Sequence, residues 1–293
     1  MHQQTRFIPS SLLVFANSIM RVLSYMSFVV ACYSLLLNHC HCLNLELLNV
    51  SKIKNEDAQW QNAAATWYGP PNGGGTDGKY YLTWGACGYG AAVENPPLSK
   101  MISAGGPSLF RGGRGCGACY EVKCRENGAC SGNPVRVMIS DECPGCNLQS
   151  LHFDLSGTAF GSMATPNNAD NLRNAGQITI QYTRVACSFG KSMAFAIDGG
   201  SNPYYFATEI EYENGNGDLV DIELKQANSN TWLPMFRSQG SRWALNVGKL
   251  LQAPFSIKLT EDYGNNRNKT IVADTVIPYD WKPGQVYRSL INF

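Results

Sequence analysis

The sequence of 293 residues predicts an all-β chain in two halves, a compact barrel followed by an antiparallel β-sandwich. Three observations predict it. Short β-prone runs broken by Gly and Asn fill the first half: "CYEVKC", "PVRVMISD", "LHFDLS" and "GQITIQYTRVAC". Eight cysteines crowd into the stretch 87–187. From 189 onward cysteine is absent, and apolar and polar residues alternate in "SMAFAID", "FATEIEYEN", "DLVDIELKQ", "FSIKLTED" and "TIVADTVIP". That alternation is the signature of half-buried strands and suits a sandwich whose core needs no cross-links. Helical periodicity is sparse, with "SGTAFGSMA" and "ADNLRN" as short candidates. "NGNG" at 214–217 is predicted to turn a hairpin between two strands. The short linker "CSFGKS" (187–192) predicts two halves that pack closely.

The elements in chain order begin with an export signal. Arg21 precedes the apolar run 22–37, which suits a signal-peptide core and is short for a membrane span, although a signal anchor is the competing reading. The segment 1–42 is assigned to this signal, and a start at Met20 would give a more ordinary one. It carries Cys32, Cys40 and Cys42 away with it. A polar extension follows over 43–62, then the barrel over 63–188 and the sandwich over 189–293. The remaining cysteines are Cys87, Cys116, Cys119, Cys124, Cys130, Cys143, Cys146 and Cys187. "CGAC" and "CPGC" would suit zinc in a cytosolic protein, but four further cysteines and an export signal point to disulfides. Sequons at Asn49 and Asn268 agree with export.

Charge and composition exclude several classes. Only 15% of residues are charged and the net charge is +1, so no basic stripe exists for nucleic acid. A hydrophobic content of 44% excludes a disordered chain. No Gly-x-Ser-x-Gly elbow supports a serine hydrolase, and one histidine beyond the signal leaves no His-based metal site. Neither metal nor cofactor is called for.

The chemistry concentrates in "LHFDLSG" (151–157). On a strand His152 and Asp154 face one side and Phe153 and Leu155 the other, so a carboxylate beside an imidazole looks out from an apolar back. Asp154 is read as a hydrogen-bond donor or general acid. His152 either orients it or is a satisfied barrel histidine. Thr66 and Tyr68 share a face if 65–69 is a strand, and would hydrogen-bond a sugar.

Together "ATWYGPPNGGGTDG", "GACGYG", "GCGACYEVKC", "HFDLSGTAFG", "SNPYYFA" and "IPYDWKPGQVYRS" resemble a plant β-expansin from about residue 63 to the C-terminus. The resemblance implies a six-stranded double-psi β-barrel and an immunoglobulin-like β-sandwich similar to the carbohydrate-binding domain of group-1 grass-pollen allergens. It implies a secreted monomer of the extracellular cell wall, without an integral membrane span once the signal is removed. Its partners would be wall polysaccharides (cellulose, xylan-type or other matrix glycans), loosened without detectable cutting. It also implies the pairs Cys87–Cys116, Cys119–Cys187 and Cys124–Cys130, leaving Cys143 and Cys146 to each other.

The barrel is similar to that of small inverting endoglucanases, where Asp154 would match the general acid. Inversion needs a second carboxylate as base, about 6.5–9.5 Å away. The stretch "TWYGPPNGGG" (66–75), where the resemblance implies that base, contains no acid. Asp77 and Asp141 are the other groove acids, each also explicable as a turn cap in "TDG" and "SDE". The chain is therefore expected to bind glycan without hydrolysing it. A β-glycanase with Asp77 or Asp141 as base, and a wall-binding or defence-type barrel that does not loosen, are the alternatives.

The sequence departs from the pattern twice. "KYYLTW" (79–84) reads as a six-residue insertion, either a genuine loop or a gene-model error, and Gln239 stands where relatives commonly present a Trp. Tyr205 keeps an expected platform position, and Trp232, Phe236 and Trp243 are the nearby aromatics that could stack on sugar rings, although alternation assigns at least two of them to the core.

Overall fold

The computed structural model describes residues 59–75, 85–146, 151–215, 218–264 and 267–293. The signal, Met20, Asn49, Asp77 and the 79–84 insertion lie outside them.

Six strands close a barrel: β1 (Gln61–Tyr68), β2 (Ile102–Gly105), β3 (Cys119–Cys124), β4 (Val135–Glu142), β5 (His152–Ser156) and β6 (Ile178–Val185). Their order around the barrel is β1-β5-β2-β4-β3-β6, with β1/β5 and β2/β4 parallel and the other pairs antiparallel. Period-2 alternation sends Ala63 and Ala65 of β1, Tyr120 and Val122 of β3, Val137 and Ile139 of β4, Phe153 and Leu155 of β5, and Ile180 and Tyr182 of β6 into one core. Small residues on β1 stand beside large ones, Ala65 opposite Phe153 and Ala63 opposite Ile180, which suits a barrel too narrow for bulky side chains on every strand. Phe153 packs at 5.3 Å between ring centroids on both Tyr120 and Tyr182. The expected short helices are present as Gly157–Ser162 and Ala169–Asn174, the first N-capped by Ser156 Oγ, which accepts from Ala159 N at 3.0 Å.

Four disulfides join Cys87–Cys116, Cys119–Cys187, Cys124–Cys130 and Cys143–Cys146, the pairs the resemblance implied.

Among the described residues the sandwich carries nine strands: β7 (Ala194–Ile197), β8 (Tyr205–Glu211), β9 (Leu219–Lys225), β10 (Trp232–Pro234), β11 (Phe236–Gln239), β12 (Arg242–Asn246), β13 (Phe255–Asp262), β14 (Asn268–Ile277) and β15 (Val286–Arg288). One sheet runs β10-β9-β13-β14 and the other β11-β12-β8-β7-β15. Phe206 and Phe255 pack edge-on at 5.3 Å between the sheets, with Trp281 closing the cluster.

The hairpin predicted at "NGNG" does not form. β8 and β9 belong to different sheets, so the chain between them is a crossover. Its polar backbone is used elsewhere: Gly215 exchanges both backbone hydrogen bonds with Cys187, and Asn214 Oδ1 accepts from Phe189 N at 3.0 Å. The segment docks on the linker between barrel and sandwich instead of closing a two-strand turn.

Barrel and sandwich pack directly. Cys87, Tyr89, Phe110, Cys119, Val185 and Cys187 share one buried cluster with Ala194 and Tyr212. Ser241 donates to Cys87 O through its hydroxyl (2.6 Å) and its backbone N–H (3.0 Å). Between β11 and β12, Gly240 has φ +52°, and a Cβ there would lie 2.3 Å from Ala86 O, so no other residue allows this approach. Arg237 donates to Gly113 O, Gly240 O and Leu219 O, and Arg111 and Arg184 both pair with Asp218.

The disulfides should differ in effect. Loop-closure entropy gives about 4 kcal/mol for the 68-residue separation of Cys119–Cys187 and about 1.5 kcal/mol for the three-residue separation of Cys143–Cys146. Double Cys→Ser replacement of the first pair should lower the denaturant midpoint far more than replacement of the second. Equal losses would show that the long loop is already restrained in the unfolded chain.

Candidate functional site

The site begins with strand register. In the parallel pair β1/β5, Thr66 stands opposite Asp154 and Ala64 opposite His152. Asp154 is opposite Ala104 of β2, and Ala104 is opposite Asp141 of β4. Thr66, Asp154, Ala104 and Asp141 therefore form one row across four adjacent strands. Neighbouring strands lie about 4.8 Å apart, so the two aspartate backbones stand roughly 10 Å apart with only a methyl group between them.

The Thr66 hydroxyl joins the row to the histidine. It donates to Asp154 Oδ1 at 2.5 Å and lies 2.9 Å from His152 Nε2. While Asp154 is ionised it can only accept, so Thr66 spends its single proton there and Nε2 must be the donor to Thr66 Oγ1. His152 is buried, and that burial lowers its pKa against the opposing pull of Asp154. Nε2 therefore carries a proton directed at Thr66, and burial favours the neutral form of the ring.

Burial raises the Asp154 carboxyl above its ordinary value; the Thr66 bond and His152 oppose this, and the Asp141 charge adds to it. Tyr68 shares the outward face of β1 with Thr66, while Trp67 turns inward and donates from Nε1 to Arg173 O at 3.0 Å. Desolvation pushes the Tyr68 phenol far up, with the charges of Asp141, Asp154 and Glu94 adding to the effect, so it is a permanent hydroxyl donor. Gly75 lies against its ring: a Cβ there would fall 2.3 Å from Tyr68 Cε2.

Asp141 is a turn anchor as well as a groove acid. Its Oδ1 accepts from Ala86 N at 2.6 Å and from Glu142 N at 2.8 Å. The motifs did not point to Glu94, which belongs to the short 3-10 turn Gly90–Glu94. It accepts from Gly74 N at 3.0 Å and lies 3.7 Å from Lys100 Nζ, tying down the glycine-rich loop beside Tyr68. No sequence spacing marks it, because its partner is a loop backbone 20 residues upstream.

On the sandwich, the outer face of the five-stranded sheet presents Tyr205 of β8 and Phe236 of β11. Phe236 is in register with Ala244 and through it with Ala207, and Tyr205 stands two residues before Ala207 on β8. Phe236 is 53% exposed and Tyr205 half-buried. The other two aromatics do not join them. Trp243 is only 5% exposed, facing the sandwich core with the Arg237 guanidinium 4.4 Å from its ring centroid, so it has no face to offer a sugar. Inward alternation on β12 removes it from the candidate platform. Trp232 is on β10, in the opposite sheet, with Lys225 and Lys258 over its ring. Gln239 is exposed at the end of β11, next to the Gly240 contact with the barrel. Asn268 is exposed at the start of β14. Among the described residues, no group of three or more His, Cys, Asp or Glu side chains could hold a metal ion.

Residues 193–278 match the profile of the expansin C-terminal domain, and residues 102–182 match a double-psi barrel profile described as lytic transglycolase. Putative expansin-B2 of Arabidopsis thaliana is 50% identical over 270 residues, covering 92% of this chain and 96% of that protein. The chain belongs to the expansin family. Expansin-B11 of Oryza sativa subsp. japonica is 52% identical over 239 residues, 80% of this expansin and 78% of that one. Among solved structures, an expansin of Clavibacter michiganensis without ligand has the same fold, with a TM-score of 0.60 at 24% identity over 80% of this chain and 98% of that one. A mutant of that bacterial protein, crystallised in complex with cellohexaose, gives a TM-score of 0.59 at 23% identity, with the same shares covered.

The raised carboxyl of Asp154 has a consequence for this expansin's stability. A carboxyl whose folded pKa lies above its unfolded value favours folding below both values and opposes it as pH rises through the folded one. Asp154→Asn, which keeps an acceptor for Thr66, should raise the melting temperature at pH 7, with the gain shrinking as pH falls below the folded pKa. Melting curves across pH test this, and a gain that is constant with pH would refute the burial effect.

Proposed function

We propose that this expansin is secreted to the plant cell wall, where, as a monomer, it holds a glucan or matrix-glycan chain along the barrel and loosens its contacts with neighbouring polymers without cutting it. The row Thr66–Asp154–Ala104–Asp141 carries the reading. It is a polar track with the Thr66 hydroxyl and the Asp154 carboxyl at one end, the Asp141 carboxyl at the other and the Ala104 methyl between them. Tyr68 adds a phenolic hydroxyl on the same face of β1, kept protonated by burial. The bacterial relative crystallised with cellohexaose supports a β-linked glucan as one ligand class.

Asp154 is the group that grips: it accepts from Thr66 and, when protonated in the acidic wall, donates to a sugar oxygen. A hydrolase would need a base to activate water. Asp141 stands at a strand distance near the inverting range, but its Oδ1 already accepts from two backbone amides, Ala86 N of the neighbouring loop and Glu142 N of its own strand. Loosening requires only differential affinity: each 1.4 kcal/mol by which a separated chain is bound better than an adhering one shifts the balance about tenfold. Tyr205 and Phe236 supply the flat second contact, where ring stacking contributes about 0.5–1.5 kcal/mol each. Among the described residues no helix is long and apolar enough to cross a membrane.

Extension of heat-inactivated wall strips under load at acidic pH should be promoted by the wild type with no release of reducing sugar. Asp154→Ala should lose the extension. Sugar release by the wild type would make the protein a glycanase instead, and extension without Asp154 would move the activity away from the groove. Binding to cellulose should fall about 2- to 10-fold in Tyr205→Ala and in Phe236→Ala and stay unchanged in Trp232→Ala. An equal loss in Trp232→Ala would shift the platform to the other sheet.

A further inference from the structure

A cleft of about 460 Å³ opens where barrel and sandwich meet, within the ~300–1,000 Å³ typical of small-molecule sites. Gly85, Gly88 and Tyr89 form its barrel wall; Ala196, Asp198, Glu209, Glu211 and Arg242 form its sandwich wall, with Gln239 among its lining residues. The cleft begins where the groove ends. Gly85 lines it on one side, and on the other a Cβ on Gly85 would lie 3.3 Å from Asp141 Cγ.

Its polar groups are unbalanced. Arg242 is the one cation among the lining residues, and it is already engaged by Glu209 at 2.6 Å and Asp198 at 3.3 Å. Glu209 is buried, whereas the Glu211 side chain is in no salt bridge among the described residues and feels the Arg288 and Lys191 charges only at longer range. Among its lining residues, three carboxylates therefore face one engaged cation, so an occupant that brings hydrogen-bond donors is favoured. Among the described residues, the cleft contains no group of three or more carboxylates that could hold a metal ion. Sugar hydroxyls fit: they are neutral donors that satisfy carboxylate oxygens without bringing a second negative charge. The four glycines among the lining residues (Gly85, Gly88, Gly199 and Gly284) leave the walls open to a ring.

We propose that this junction cleft receives a neutral single-sugar branch projecting from the glycan held in the barrel groove, and that its carboxylates reject a uronic-acid branch. The proposal rests on the groove reading above. It divides the work between two places: the row on the barrel takes the backbone of the polymer, and the cleft reads what is attached to it.

Ala196 provides the test. It is on the outer face of β7, in register between Glu209 and Val286, so a larger side chain there grows into the cleft and away from the sandwich core. Calorimetric titrations at pH 7 would compare xylohexaose, xylohexaose with one arabinosyl branch and xylohexaose with one glucuronosyl branch. The wild type should bind the arabinosyl form at least 5-fold tighter than the plain one, and the glucuronosyl form no better than the plain one. Ala196→Leu should erase the arabinosyl preference while leaving plain xylohexaose unchanged. Glu211→Gln should narrow the discrimination against the glucuronosyl form by about 3-fold or more, and melting curves would confirm that both variants fold. Equal binding of plain and arabinosyl forms by the wild type, or a preference that survives Ala196→Leu, would overturn the cleft assignment alone. Asp154→Ala separates the two readings: if xylohexaose binding does not depend on Asp154, or if no form binds at all, the groove reading fails and the cleft assignment fails with it.

Discussion

The parallel pairing of β1 with β5, in the register that sets Thr66 against Asp154, is the constraint on which the rest of the site depends. Side chains alternate along both strands, so this one register sends Ala63, Ala65, Phe153 and Leu155 inward and Thr66, Tyr68, His152 and Asp154 outward. A slip of one residue would exchange the two sets, burying a carboxyl where Phe153 now packs. The aromatic trio of Tyr120, Phe153 and Tyr182 makes that slip costly, and so the core holds the groove in register. The Thr66 hydroxyl then ties the acid to the imidazole, so the chemistry of Asp154 depends on packing beneath it as much as on its neighbours.

Much of this was legible in the sequence because it is local and periodic. "LHFDLSG" announces its two faces by alternation alone, and "TWY" does the same for Thr66 and Tyr68. The cysteine-rich and cysteine-free halves correspond to the barrel and the sandwich. What escaped depends on long-range placement. "NGNG" has the chemistry of a tight turn, yet its flanking strands enter different sheets, a choice made by the partners β12 and β13 and not by the turn itself. Short strands such as β10, β11 and β15 span three or four residues, too few for a period to show. Trp243 reads as a plausible sugar platform until the direction of β12 is known. Glu94 has no motif at all, because its role is to hold a backbone amide of a distant loop.

Barrel and sandwich are not separate instruments. Gly240 of the sandwich rests on Ala86 of the barrel, and the Ala86 amide is held in turn by the groove acid Asp141. Any substitution that moves the β11–β12 connection is thus felt at the end of the groove within a few bonds. Asp141 serves both purposes, facing the track with its charge while one oxygen fastens the loop on which the second half of the molecule rests.

The contact at Gly240 also has a mechanical meaning. On the proposed reading, a protein that grips a glycan at two places carries any tension in that glycan across its own barrel–sandwich junction. With a flexible hinge, the pull would first straighten the linker, and the grip would loosen before any glycan contact felt the strain. Here the β11–β12 connection rests on Ala86 and Cys87, and the Cys87–Cys116 bridge ties that contact to the body of the barrel, so such a pull would bypass the linker. On that reading, strain would reach the contacts between the held glycan and its neighbours and would not be spent in straightening a linker.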